Sequence, residues 1–241
     1  MEVFGRIDNG IFYQSPTFAG VTVLLAGSFQ TSGQEKEEWT DNTRFWGGSV
    51  DWKYGNFGLF LGAEQTVLGP DSKGKEQNGG KNPTTLYLGT SYDFGFMKLM
   101  AGYQHGWDLD RFGCFDKVKW GTKTSQIEAF DANSYILGAT IPAWGGTVRL
   151  SGLYSEGTNS KPLYTKSLNN SVAVGPDAGY WAVDVGYSYP FSKRTNIYGV
   201  ISHLEGLDGL DTDDTKNKMQ AVNDDGSMSR TQIAVGLVHK F

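Results

Sequence analysis

A chain of 241 residues that is 39% hydrophobic and 20% charged has room for one large domain or two ordinary ones, and it is too mixed in composition to be a low-complexity polymer. Glycine at 33 positions against 7 prolines, with 14% aromatic residues, reads as many short strands and turns, an all-β class. A net charge of −5 argues against nucleic-acid binding, and the longest apolar run, Val21 to Gly27, is far short of the roughly 20 residues of a membrane helix, so any membrane crossing is by strands.

Eleven segments of period-2 character follow one another along the chain, each bounded by Gly, Asn, Asp or Pro: 8–14, 19–29, 43–54, 56–65, 84–93, 96–105, 133–142, 145–155, 179–190, 194–204 and 230–241. In the third, Trp46, Val50, Trp52 and Tyr54 share one face and Gly47, Ser49, Asp51 and Lys53 the other. The sixth sets Met97, Leu99, Ala101 and Tyr103 against Lys98, Met100, Gly102 and Gln104. The ninth sets Trp181, Val183, Val185, Tyr187 and Tyr189 against Ala182, Asp184, Gly186 and Ser188. In these three strands one face suits lipid and the other is small or polar, as a water-filled lumen requires. The last strand puts Ile233, Val235, Leu237 and Phe241 outward and Arg230, Gln232, Gly236 and Lys240 inward, with His239 on the lipid side near the boundary. Trp52, Tyr54, Trp181, Tyr189 and Phe191 gather toward strand ends, where aromatic girdles sit.

The connections alternate strictly. Tight ones at 15–18, Gly55, 94–95, 143–144 and 191–193 are interleaved with long polar segments at 30–42, 66–83, 106–132, 156–178 and 205–229. All tight turns therefore fall at one end of the sheet and all long loops at the other. That arrangement predicts an antiparallel up-and-down transmembrane β-barrel.

Motifs for chemistry fail on inspection. Gly69-Pro-Asp-Ser-Lys-Gly74-Lys75 has the spacing of a phosphate-binding loop, but Glu76 stands where a hydroxyl ligand to Mg²⁺ belongs and no helical pattern follows. His105, His203 and His239 lie in different strands without partners at zinc-ligand spacing, and no serine sits in a nucleophile turn. Seven acids in 205–229 (Glu205, Asp208, Asp211, Asp213, Asp214, Asp224 and Asp225) lack the spacing of an EF-hand and read as a solvated surface. The lone Cys114 makes no internal disulfide. No cofactor, metal site or catalytic set is expected.

Four stretches, Asp8 to Gly20 (DNGIFYQSPTFAG), Leu150 to Tyr154 (LSGLY), Ser192 to Tyr198 (SKRTNIY) and Gly236 to Phe241 (GLVHKF), give a resemblance to the general Gram-negative porins of betaproteobacterial type. The resemblance implies a barrel of about sixteen strands, trimeric when complete, with a constriction loop folded into the lumen. On that pattern this chain is the C-terminal portion of a single barrel domain spanning 1–241, its strands the sixth to the last. Five strands, the constriction loop and a signal peptide would precede Met1, where Met1 to Gly5 shows neither a basic nor an apolar leader region. Phe12 departs from the pattern, standing where relatives often place a lumen-facing base. Partners implied are outer-membrane lipid, lipopolysaccharide and the barrel-assembly machinery, which would read the signal Ile233, Val235, Leu237 and Phe241.

The expected function is passive diffusion of ions and small hydrophilic solutes across the outer membrane of the cell, with no enzymatic step. The pore-lining candidates are Asp51, Lys53, Glu64, Lys98, Arg149, Asp184, Arg230 and Lys240. Two alternatives stay open: a substrate-specific channel or barrel that binds a ligand in its long loops, and a soluble secreted β-protein that binds sugars through its tryptophans.

Overall fold

The computed structural model describes residues 7–31, 33, 35–111, 117–120, 123–158, 163–167, 170–174, 177–208 and 229–240. Among the described residues fifteen strands run in chain order. The first six are β1 (Gly10–Gln14), β2 (Val21–Ser28), β3 (Arg44–Tyr54), β4 (Phe57–Val67), β5 (Thr84–Asp93) and β6 (Lys98–Leu109). They are followed by β7 (Lys117–Trp120), β8 (Lys123–Gln126), β9 (Phe130–Ala143), β10 (Gly146–Thr158), β11 (Leu163–Ser167) and β12 (Asn170–Val174). The last three are β13 (Asp177–Pro190), β14 (Thr195–Asp208) and β15 (Ser229–His239).

Eleven of them form one antiparallel sheet in the order β1-β2-β3-β4-β5-β6-β9-β10-β13-β14-β15, so each strand pairs with the members of the sheet that precede and follow it in the chain. This is the up-and-down meander expected from the alternation. β1 and β15 are its two edges. The segments 106–132 and 156–178, read from sequence as loops throughout, each carry a small two-stranded sheet, β7 with β8 and β11 with β12. The expected strands at 96–105 and 145–155 also run longer, to Leu109 and Thr158.

The strands form because aromatic and β-branched side chains recur at every second position, where a pleated sheet places them on one surface. They end where the backbone is turned. At the short-turn end Tyr54 and Phe57 close a two-residue hairpin through Gly55 (φ 55°), and Ser192 Oγ accepts from the amides of Arg194 (3.2 Å) and Thr195 (3.0 Å) to close the β13–β14 turn. Gly20 closes the β1–β2 turn at φ 81°, and a Cβ there would lie 2.1 Å from the Lys53 carbonyl oxygen, whose own amide donates to Gly20 O (2.9 Å). Gly20→Ala is therefore expected to destabilise the β2–β3 edge by at least ~1 kcal/mol. Gly33→Ala, with φ 77° but open space around its Cβ, should cost less. The comparison is the urea midpoint at which the folded electrophoretic form converts to the unfolded one; equal midpoints would show that the close approach to Lys53 is immaterial.

Among the described residues the interior that normally stabilises a soluble domain is nearly absent: the buried hydrophobic side chains are Ala26, Phe45, Ile127, Phe130 and Ala132, whereas Ile233, Val235 and Leu237 are 73%, 78% and 62% exposed. Such a continuous apolar exterior is costly in water and favourable in hydrocarbon. Rings crowd both ends of it. Toward the short turns lie Trp52 with Tyr54 (6.1 Å between centroids) and with Phe57 (6.0 Å), Tyr92 with Phe94 (4.7 Å), and Trp144 with Tyr187 (6.4 Å). Toward the long loops lie Phe29 with Trp46 (5.7 Å), Tyr103 with Tyr135 (5.3 Å), and Trp181 with His203 (5.3 Å).

Candidate functional site on the concave face

Directly paired residues of an antiparallel ladder share a face, so one row can be followed from strand to strand. Lys53 pairs with Gly58, and the row continues through Ser91, Met100, Gly138 and Ser151 to Asp184, Ser202 and Gln232. The next row runs from Asp51 through Phe60, Gly89, Gly102, Ile136, Leu153, Ala182 and Leu204 to Arg230. These rows border a cavity of about 730 Å³ to which eight strands contribute, so the face they define is the concave one. The residues between them in sequence, such as Trp52, Leu61, Leu88, Leu137, Leu150, Val183 and Ile201, stand exposed on the opposite, convex face.

Seven of the eight charged candidates lie in these strands, and register puts all seven on the concave face. Asp51, Lys53, Arg149 and Asp184 line the cavity. Glu64 pairs with Gly47 and Thr85, Lys98 with Asp93 and Thr140, and Arg230 with Leu204. Lys240 follows β15, its amide donating to Arg194 O (2.9 Å). Phe12 is on the same face, opposite Ala26, with its ring over Gly10 and 54% exposed.

Several of the charges are held in place by hydroxyls. Ser151 Oγ donates to Asp184 Oδ2 (2.8 Å), Tyr87 Oη donates to Glu64 Oε1 (2.5 Å), and Arg149 Nη1 donates to Ser188 Oγ (2.7 Å). Arg230 reaches the amide oxygen of Gln232 (2.7 Å) two residues along its own strand. Each charged group is thereby aimed across the wall while keeping capacity for water or solute.

The concave wall is less polar than the alternation in β3, β6 and β13 predicts. Phe60, Ile136 and Leu153 face the cavity together with Met100. β9 carries apolar side chains on both faces, with Ile136 between Tyr135 and Leu137, so its polarity contrast, the signal that oriented the other strands, is weak. Tyr87 and Tyr198 also border the cavity and were missed because each stands beside an apolar residue of the convex face, Leu86 and Leu88 in β5 and Ile197 in β14.

The long loops meet at the other end of the sheet. Asn78, in the left-handed region at φ 51°, donates through Nδ2 to Asp108 O (2.6 Å) and accepts through Oδ1 from the Ala129 amide (2.6 Å), joining 66–83 to 106–132. Gly69 N donates to Thr43 Oγ1 (3.1 Å), and Lys81 pairs with Asp108 (3.5 Å). The segment with phosphate-loop spacing is a tight turn, not a strand–helix junction. Asp71 Oδ1 accepts from the amides of Lys75 (2.9 Å) and Lys73 (2.8 Å), and a 3₁₀ turn, Asn78–Gly80, follows. Those two amides, Lys75 first, with a smaller contribution from the Lys75 charge, hold the Asp71 carboxyl below its ordinary range.

Because this folded-state value is depressed, the turn's extra stabilisation is present above the ordinary carboxylate pKa and lost as pH falls through the depressed one. Amide exchange at Lys73 and Lys75, corrected for its intrinsic pH dependence, should accelerate on acidification, and Asp71→Ala should exchange fast at every pH. Unchanged protection in that variant would count against the turn.

Of the histidines, His105 Nδ1 meets Asn133 Oδ1 (2.8 Å), His203 lies between Thr231 Oγ1 (2.8 Å) and Glu205 (3.2 Å), and His239 meets Thr195 Oγ1 (3.0 Å). They stay in separate strands, as read. Cys114, Asp211, Asp213, Asp214, Asp224, Asp225 and Phe241 lie outside the described residues.

An up-and-down sheet with an apolar convex surface between two aromatic belts, and charged groups around a concave cavity, defines the class: the wall of an outer-membrane β-barrel. The chain belongs to the Gram-negative porin family, whose model matches residues 2–209. It is 25% identical to an outer membrane porin protein of Bordetella pertussis, over 98% of this chain and 58% of that protein. It is 27% identical to outer membrane porin protein 32 of Delftia acidovorans, over 98% of this chain and 57% of that one. The chain thus spans under two thirds of the length of these relatives. Among solved structures it is similar in fold to a loop-deletion mutant of OmpT from Vibrio cholerae (TM-score 0.60, 11% identity, 97% of this chain and 63% of that one). A Salmonella typhi OmpF complex with daunomycin is similar too (TM-score 0.58, 12% identity, 95% of this chain and 61% of that one). The family and these relatives place the chain in the outer membrane of a Gram-negative cell.

Proposed function

We propose that the complete protein is a diffusion porin, a water-filled passage for ions and small hydrophilic solutes that carries out no chemical conversion. The observation that carries this reading is the separation of faces: charged side chains from β3, β4, β6, β10, β13 and β15 on the concave wall, and a predominantly apolar surface on the convex one. A barrel of this kind selects by lumen width and wall charge.

Further strands joining β1 to β15 close the wall, since an open edge in hydrocarbon leaves backbone amides and carbonyls without partners, at a cost of several kcal/mol each. On this reading residues 1–241 are the C-terminal portion of one barrel domain. The complete barrel assembles as a homotrimer, a form in which OmpT of Vibrio cholerae has also been described. Lipid and lipopolysaccharide surround it, and the assembly machinery reads the last strand through Ile233, Val235 and Leu237, which all face outward.

The test is reconstitution of the full-length protein in planar bilayers. Stepwise conductance that scales with bulk conductivity, without saturation by small salts, is expected. Bilayers that stay closed despite folded, inserted protein would remove the channel reading.

A further inference from the structure

The concave cavity combines an apolar floor with charged groups at its sides. Met100 and Ile136 are 37% and 49% exposed there, and Leu153 stands beside Ile136 on the same row. Gly138 separates Met100 from Ser151, and a Cβ at Gly138 would meet nothing nearer than 3.5 Å, so this stretch of floor is open. Among the described residues lining the cavity, the charged ones are Asp51, Lys53, Arg149 and Asp184.

Arg149 and Asp184 have a particular relation. Arg149 pairs with Gly186 and Asp184 with Ser151, so the two are diagonal neighbours on one face, with side-chain origins roughly 7–8 Å apart. Each is oriented by a hydroxyl, Ser188 for the guanidinium and Ser151 for the carboxylate, and they make no ion pair with each other. Ser188 and Asp184 lie two residues from Gly186 in opposite directions along β13, so the guanidinium is drawn away from the carboxylate, and the pair suits the separated carboxylate and ammonium at the two ends of a short peptide, each meeting its opposite charge. Leu153, Ile136 and Met100 continue from this pair along the floor, where an apolar side chain of the same solute would be covered.

Resting on the channel reading, we propose that the cavity is a binding site for short zwitterionic peptides with aromatic or branched side chains. Arg149 holds the carboxylate, Asp184 holds the ammonium, and the side chain lies on Met100, Ile136 and Leu153. At about 730 Å³ the cavity falls within the size range of small-molecule sites.

The test is equilibrium dialysis of the full-length, folded, detergent-solubilised protein against radiolabelled phenylalanyl-leucine, with glycylglycine as the polar counterpart. Phenylalanyl-leucine should be retained and glycylglycine not. Arg149→Gln, Asp184→Asn and the capped peptide N-acetyl-phenylalanyl-leucine amide on the wild type should each weaken retention about tenfold or more. Lys73→Gln, on the exposed turn built by Asp71 and away from the concave wall, should leave it unchanged. Equal retention of the two peptides, or equal retention of the capped and free peptide, overturns the site, and the latter comparison needs no variant to fold. Conductance is read separately. Retention without conductance removes the channel reading and leaves the site, whereas conductance without selective retention removes the site alone.

Discussion

Val185→Arg should leave little or no folded protein in the membrane. Val185 stands mid-strand in β13, 52% exposed on the convex face between Val183 and Tyr187. A guanidinium at that depth costs roughly 2–4 kcal/mol at the bilayer midplane, a large part of the marginal stability of a folded domain. The matched control is Ser202→Arg in β14, because Ser202 pairs with Asp184 on the concave face and an arginine there extends into water beside a carboxylate. The measurement is the fraction of protein that resists protease and migrates as the compact form after refolding into lipid. A defect in Ser202→Arg with none in Val185→Arg would mean that the two faces are exchanged.

The second large effect is on ion selectivity. Lys53, Lys98 and Arg149 share the concave face, each within a few residues of a short turn: Lys53 faces Gly58 across the β3–β4 hairpin, Lys98 faces Asp93, and Arg149 faces Thr140. Changing all three to glutamate replaces positive potential with negative along one end of the passage. The ratio of cation to anion permeability should rise severalfold, read from the zero-current potential in a salt gradient and largest at low ionic strength, where screening is weakest. Lys73→Glu, on the exposed turn built by Asp71, should move the potential little. Equal shifts from the triple variant and from Lys73→Glu would show that these three groups do not border the ion path.

Most of the wall was legible in the sequence because lipid and water impose opposite demands on successive residues. Trp181, Val183, Val185, Tyr187 and Tyr189 alternate with Ala182, Asp184, Gly186 and Ser188 so sharply that strand, facing and approximate ends follow together, and the same holds for β3 and β15. All eleven strands of the main sheet were expected, in their observed order. The two small loop sheets were not, since Lys117–Trp120 and Lys123–Gln126 carry no lipid-facing set to create contrast. The apolar cavity floor escaped for the opposite reason, with Ile136 flanked by Tyr135 and Leu137 in a run apolar on both faces. The Asn78 bridge depends on a left-handed backbone at one asparagine and a partner 51 residues away, which no local pattern encodes.

The strict two-residue repeat also constrains how such a gene can change length. Removing one codon within β13 exchanges lipid and water positions for every residue on one side of the deletion, placing Asp184 or Ser188 in hydrocarbon and Val185 in the passage. Removing two restores the faces and merely shortens the strand by about 7 Å. Length variation inside the wall should therefore accumulate in paired steps, whereas the segments that cap the long-loop end are free to drift one residue at a time. The reading of inheritance in this protein has a different grammar at the two ends of each strand.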